Sequence, residues 1–311
     1  MSDQPATPPN SSQSSKLQVF FRRLTSFVIL WGLLLLALFS TNRLISDYLL
    51  LVIIVFLAVT GLAEFYGLAA KGDLVCFKWF GLFSGTLLLV GTFLNLTGKV
   101  GTTGSPARVN DFETSFVILF VLGLCLRQFF SRSATSGILA ISITLFGLMY
   151  VPWLLNFIQK INFFWGLSRA QGHLYVLYFI VLTKFSDTGA YVVGSLIGRH
   201  KMIPRISPAK TWEGFGGAIL GSVLASVIFT ACARDKLTGM NWCHAIILGV
   251  ILSIGAVIGD LIESIFKRQA GVKDSGRFFP GIGGILDLLD SLLFNAPIMY
   301  LYLRHILTRP G

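Results

Sequence analysis

Asp287 and Asp290 stand three residues apart where the apolar run ILDLLDSLLFNAP begins, and Asp260 and Glu263 repeat that spacing in the run before it, GDLIES. Residues three apart share one face of a helix, so each pair presents two carboxylates side by side. An ionised side chain at the centre of a membrane-spanning helix costs about 2.5–3.5 kcal/mol on insertion scales, so these pairs need a cation or a wet pocket. Bases follow closely: Lys267 and Arg268 come one turn after Glu263, and Lys273 lies in the loop beyond. Acids at depth with bases at the mouth suit a divalent metal and a phosphate. An all-oxygen, carboxylate-rich ligand set favours Mg²⁺, which keeps waters and shares the oxygens of substrate phosphates. All four acids, Asp260, Glu263, Asp287 and Asp290, are candidates for that metal.

Two further groups carry polar chemistry. Gly281, Gly283 and Gly284 follow Pro280 just before Asp287. Their backbone N–H groups are expected to lie bare at a helix N-terminus, a natural anion site. The alternative is a glycine-rich helix start with carboxylates favoured by the helix dipole. In KFSDTGAYVVG, Lys184, Asp187 and Tyr191 are spaced i, i+3 and i+7 inside an apolar run. Ionisable residues there are functional candidates, although Lys184 and Asp187 could simply neutralise each other. The segment SPAKTWEG adds Lys210 and Glu213 beside Trp212, a candidate interfacial anchor. No Walker, HExxH or GxSxG sequence occurs, which argues against soluble-type NTPase, zincin and serine-hydrolase chemistry.

The elements that must hold these groups are helices in lipid. Of the 311 residues 54% are hydrophobic and only 13% charged, with 27 Phe and a mean hydropathy of +0.75, well beyond the apolar content of about 45–50% found in soluble domains. Repeated apolar runs approach the ~20 residues needed to cross a ~30 Å hydrocarbon core. Backbone polar groups in lipid must be satisfied internally, so the expected class is an all-α, polytopic integral membrane protein. Nine spans are predicted: 24–41, 46–69, 78–97, 114–130, 134–157, 173–195, 213–232, 243–266 and 284–303. Residues 1–16 read as a disordered cytoplasmic tail, 17–160 as an N-terminal set of spans, and 173–311 as the catalytic region, because the first five spans are poor in polar side chains. Cys76, Cys125, Cys232 and Cys243 lack metal-site spacing and are expected to be small packing residues.

With the N-terminus inside, fifteen Lys and Arg fall in cytoplasmic segments and nine outside, with Lys184 in a span. The positive-inside rule selects that orientation and sets the basic loops 199–210 and 267–277 on one side. The net charge of +11 is thus spread over loops and does not point to nucleic acid.

The stretch from Ser264 to Asp290 resembles the C-terminal signature of the phosphatidate cytidylyltransferases, or CDP-diacylglycerol synthases. That signature runs S-x-x-K-R-x4-K-D-x-G-x3-P-G-H-G-G-x-x-D-R-x-D. Ser264, Lys267, Arg268, Lys273, Asp274, Gly276, Pro280, Gly281, Gly283, Gly284, Asp287 and Asp290 fall on it without a gap. SDTGAY, SPAKTWEG and GDLIES also look like the family's, so the resemblance covers residues 183–297. Ile282 and Leu288 stand where the signature has His and Arg. The resemblance implies transfer of a cytidylyl group from CTP to phosphatidic acid, with Mg²⁺ and a monovalent K⁺, in a homodimer of a bacterial inner membrane with its site facing the cytoplasm. On it, Asp187, Asp260, Lys267, Asp287 and Asp290 become catalytic, Asp260, Asp287 and Asp290 are the expected metal ligands, and Lys210, Lys267, Arg268, Lys273, Asp274, Gly283 and Gly284 bind substrate. Rival readings are a CTP-dependent lipid kinase, a cytidylyltransferase for another lipid phosphate and an ion-coupled transporter with these acids at its midplane.

Overall fold

The computed structural model describes Thr25 and residues 28–100, 106–131, 137–276 and 283–308. The tail at 1–16 and Ile282 lie outside the described residues. Among the described residues, eight helices are long and apolar enough to cross a membrane, and a shorter apolar helix, α1 (Val28–Phe39), precedes them. They are α2 (Arg43–Lys71), α3 (Lys78–Leu96), α4 (Pro106–Phe129), the pair α5 (Gly137–Leu148) and α6 (Leu154–Asn162), α7 (Arg169–Ile197), α8 (Trp212–Ala233), α9 (Trp242–Gln269) and α10 (Ile285–Tyr302). A π-helical turn at Met149–Trp153, with Pro152 inside it, joins α5 to α6 into one span. Proline removes a helix hydrogen bond and crowds the preceding turn, which the wider turn absorbs.

The polytopic helical class holds, with one departure: β1 (Lys201–Ile203) and β2 (Ser207–Thr211) pair antiparallel between α7 and α8. Thr211 then caps α8 by accepting from the Gly214 amide at 3.1 Å. Glu213 folds back to accept from the amides of Arg199 at 3.1 Å and His200 at 3.2 Å. The hairpin is thereby fastened at both ends, and Lys210 is held near its base.

Helix α10 is the most enclosed of the spans. Asp287, Ser291 and Asn295, spaced four apart, form a polar stripe on it, the face that meets α7 and α9. Asn295 Nδ2 donates to Thr183 Oγ1 at 2.7 Å and to the Leu252 carbonyl at 2.9 Å, and Ser291 Oγ donates to the Ala256 carbonyl at 3.3 Å. With no hydrophobic force between helices in lipid, close approach through small residues and such hydrogen bonds holds spans together. A Cβ on Gly259 would come within 2.5 Å of the Asp290 carbonyl oxygen, so glycine sets the spacing of α9 and α10 at the level of Asp260. Helices α7 and α8 likewise meet through Gly189, Gly217 and Gly221, where a Cβ on Gly221 would lie 2.7 Å from the Phe185 carbonyl oxygen. Cys76 is half-buried, whereas Cys125, Cys232 and Cys243 are exposed rather than packed.

Candidate active site

A cavity of about 560 Å³ opens where α7, α8, α9, α10 and the hairpin converge. Asp187, Lys210, Asp260, Lys267, Asp287 and Asp290 all line it. Residues separated by as much as 103 positions in sequence are thus brought to one place by helix packing. Lys210 Nζ pairs with Asp260 Oδ2 at 2.7 Å and donates to the Val257 carbonyl at 3.2 Å. Lys267 Nζ sits between Glu263 at 2.5 Å and Asp287 at 2.8 Å. Asp187 pairs with Lys184 at 3.6 Å and receives a long hydrogen bond from Ser291 Oγ at 3.5 Å. Lys184 Nζ also donates to the Leu288 carbonyl at 3.4 Å, so a lysine of α7 reaches the backbone at the residue where the signature has Arg.

The two carboxylate pairs are sorted unequally. Asp260, Glu263 and Asp290 each offer an oxygen within 4.8 Å of the others. Asp287 is not one of these three, although it shares Lys267 with Glu263. Its carboxylate receives Lys267, the Gly284 amide at 2.8 Å and the Ser275 amide at 3.3 Å. Glu263 is fully buried, and among the described residues its Oε1 has no hydrogen-bond partner. A buried oxygen without a partner is costly unless something unaccounted for satisfies it. The donor set is all carboxylate, and oxygens on opposite sides of a Mg²⁺ ion with ~2.1 Å bonds lie about 4.2 Å apart. The oxygens of Asp260, Glu263 and Asp290, within 4.8 Å of one another, would need to close by about half an ångström to hold a small hard divalent cation.

The remaining predicted binders lie elsewhere. Arg268 is exposed and spends its guanidinium on the hairpin, donating to the Ile206 carbonyl at 3.1 Å. Lys273 and Asp274 are exposed and outside the cavity lining. The amides at the start of α10 are not bare: Asp287 accepts from Gly284, and Glu64 Oε2 of α2 accepts from Leu286 at 2.8 Å. Pro280 and Gly281 lie outside the described residues. Two acids are absent from the set that the resemblance assigned to the site. Glu263 was signalled by its spacing to Asp260, and Glu64 only by being an acid within a long apolar run.

The chain is also similar to known proteins. The sequence profile described as the cytidylyltransferase family matches residues 21–306. Relatives include the phosphatidate cytidylyltransferase of Staphylococcus haemolyticus (strain JCSC1435), 34% identical over 224 residues, covering 72% of this chain and 78% of that protein. The uncharacterized protein YnbB of Escherichia coli (strain K12) is 36% identical over 162 residues, 52% of this chain and 51% of that protein. The phosphatidate cytidylyltransferase of Staphylococcus epidermidis (strain ATCC 12228) is 43% identical over 136 residues, 44% of this chain and 51% of that protein. The chain thus spans about half the length of these last two relatives.

Proposed function

Since the chain belongs to the cytidylyltransferase family, we propose that it transfers the cytidylyl group of CTP to phosphatidic acid, releasing pyrophosphate. The observation that carries this reading is the trio Asp260, Glu263 and Asp290, with an unpartnered oxygen on the buried Glu263, two of whose members line one cavity together with Lys210 and Lys267. An oxygen of the lipid phosphate attacks the α-phosphorus of CTP. The new P–O bond forms as the α–β anhydride bond breaks, and the electron pair leaves on pyrophosphate. The nucleophile is already anionic, so no strong base is needed, and the protein's work is positioning and charge neutralisation.

Asp260, Glu263 and Asp290 would hold Mg²⁺, which when bound supplies charge neutralisation to the attacking and leaving oxygens. Lys210 and Lys267 offer the ammonium groups for phosphate oxygens, exchanging an internal carboxylate partner for substrate. Asp287 fixes Lys267 and the loop before α10, while Asp187 holds Lys184 at the cavity wall. The basic hairpin and the loop after α9 support a cytoplasmic opening, where CTP is supplied, in a bacterial inner membrane.

The test uses purified protein in detergent with CTP, phosphatidic acid and Mg²⁺, with and without K⁺. Pyrophosphate and CDP-lipid are expected in equal amounts. Release of CDP in their place would make the protein a lipid kinase, and no product above an Asp290→Ala control would overturn the reading. Light scattering of the same preparation reads whether it is the homodimer that the resemblance implies.

A further inference from the structure

Helix α10 carries Asp287 and Asp290 into the site, yet it starts on Gly284, which has no side chain to cap it. The first amides of a helix have no partner within it and are satisfied from outside. Asp287 supplies half of this, accepting from the Gly284 amide at 2.8 Å. The other half comes from a residue 222 positions earlier: Glu64 Oε2 accepts from the Leu286 amide at 2.8 Å and from Ser275 Oγ at 3.2 Å.

We propose that Glu64 is a positioning residue for cytidylyl transfer, a helix cap supplied by the N-terminal half that fixes where α10 begins. The proposal rests on the cytidylyl-transfer reading above. Glu64 is not among the residues lining the cavity, so it acts through the carboxylates of α10. Its neighbour Phe65 packs edge-on against Phe266, with ring centroids 5.8 Å apart, beside Lys267 at the end of α9. Two consecutive residues of α2 thus hold the end of α9 and the start of α10, the two ends that meet in the site.

The glycines around Glu64 agree with this role. A Cβ on Gly276 would collide with the Glu64 carboxylate, and one on Gly284 would collide with Ser275 Oγ and the same carboxylate. Glycine at both positions leaves room for one carboxylate from α2. A negative group there also meets the positive end of the α10 dipole.

The experiment compares wild type, Glu64→Ala, Glu64→Gln and Gly276→Ala. It measures kcat, KM for CTP and hydrogen exchange of the peptide covering 283–290. In Glu64→Ala kcat is expected to fall roughly tenfold with KM within about twofold, the pattern of lost transition-state geometry, and the peptide exchanges faster. Glu64→Gln keeps an acceptor oxygen and recovers kcat to within about threefold. Gly276→Ala, which displaces the carboxylate, reproduces the alanine variant. Wild-type kcat and exchange in Glu64→Ala would overturn the proposal, as would a glutamine variant as slow as alanine with exchange unchanged. If wild type transfers no cytidylyl group, the functional reading fails; exchange in Glu64→Ala still decides whether Glu64 caps α10.

Discussion

Two clusters of buried charge stand out among the described residues, and they differ in stoichiometry and access. In the N-terminal half, Glu113 of α4 and Lys160 of α6 form an ion pair with both side chains only 6% exposed. Asn156 donates to Glu113 at 2.7 Å and to Thr92 at 3.1 Å. The Lys160 ammonium lies 4.8 Å from the Phe157 ring centroid and 5.5 Å from that of Tyr300. One acid faces one base. In the C-terminal half, five carboxyl groups (Asp187, Asp260, Glu263, Asp287, Asp290) meet three lysines (Lys184, Lys210, Lys267), and all of these but Glu263 and Lys184 line an open cavity. The closed cluster is neutral as built and serves as a strut. The open one has two more carboxyl groups than ammonium groups, the surplus that a divalent cation would use under the proposed function.

The largest effect expected from this contrast is on stability. Glu113→Ala leaves Lys160 buried without its partner, and breaking one side of a buried pair costs about 3–5 kcal/mol. A thermal melt in detergent should show a large loss, while kcat per folded molecule stays unchanged. Glu113→Gln combined with Lys160→Met should restore most of the melting temperature. A folded Glu113 variant that turned over nothing would end the distinction between strut and site.

Next in size is the converse. Asp290→Asn should lower the rate of pyrophosphate release by roughly 10²–10³-fold, the scale seen when one preorganised electrostatic group is removed. Its melting temperature without metal should be unchanged or higher, because like charges held together destabilise the fold that holds them. A large drop in melting temperature with little loss of rate would place Asp290 with Glu113.

Metal addition gives a smaller effect that reads binding without catalysis. Mg²⁺ at about a hundred times its dissociation constant should stabilise the wild type by about 2.7 kcal/mol. The shift should vanish in Glu263→Gln and persist in Glu113→Gln, with chelation reversing it. An equal shift in all three proteins would detach the cation from Asp260, Glu263 and Asp290.

The spans were legible because apolar runs of membrane length have few alternative structures, and all eight long helices lie within a few residues of their predicted ranges. The site was legible in its members and less so in its pairing. Asp260 with Glu263 and Asp287 with Asp290 have the same spacing, so sequence alone cannot say which three oxygens meet. Packing decides it: Lys267 pairs with both Glu263 and Asp287, and of those two it is Glu263 whose oxygen lies within 4.8 Å of both Asp260 and Asp290. Glu64 was hidden because its partners are one backbone amide and one serine hydroxyl, both more than two hundred residues away. The hairpin was hidden because its strands have three and five residues, with Pro208 inside the second, and show no sustained alternation.

The smallest effect concerns Arg268, one of the bases that the resemblance assigned to substrate. Its guanidinium instead joins the end of α9 to the hairpin that carries Lys210. A direct charge-assisted contact to substrate is worth about 1.5–3 kcal/mol, so its loss would raise KM for CTP by tenfold or more. An exposed tether of this kind is worth about 0–1 kcal/mol, less than about fivefold. Arg268→Gln, which keeps a donor for the Ile206 carbonyl without the charge, should therefore change KM less than fivefold. Lys210→Met, which removes an ammonium facing the cavity, should exceed tenfold. If Arg268→Gln matches Lys210→Met, the hairpin moves on substrate binding and brings Arg268 to the phosphates, and the open cluster then has a fourth base.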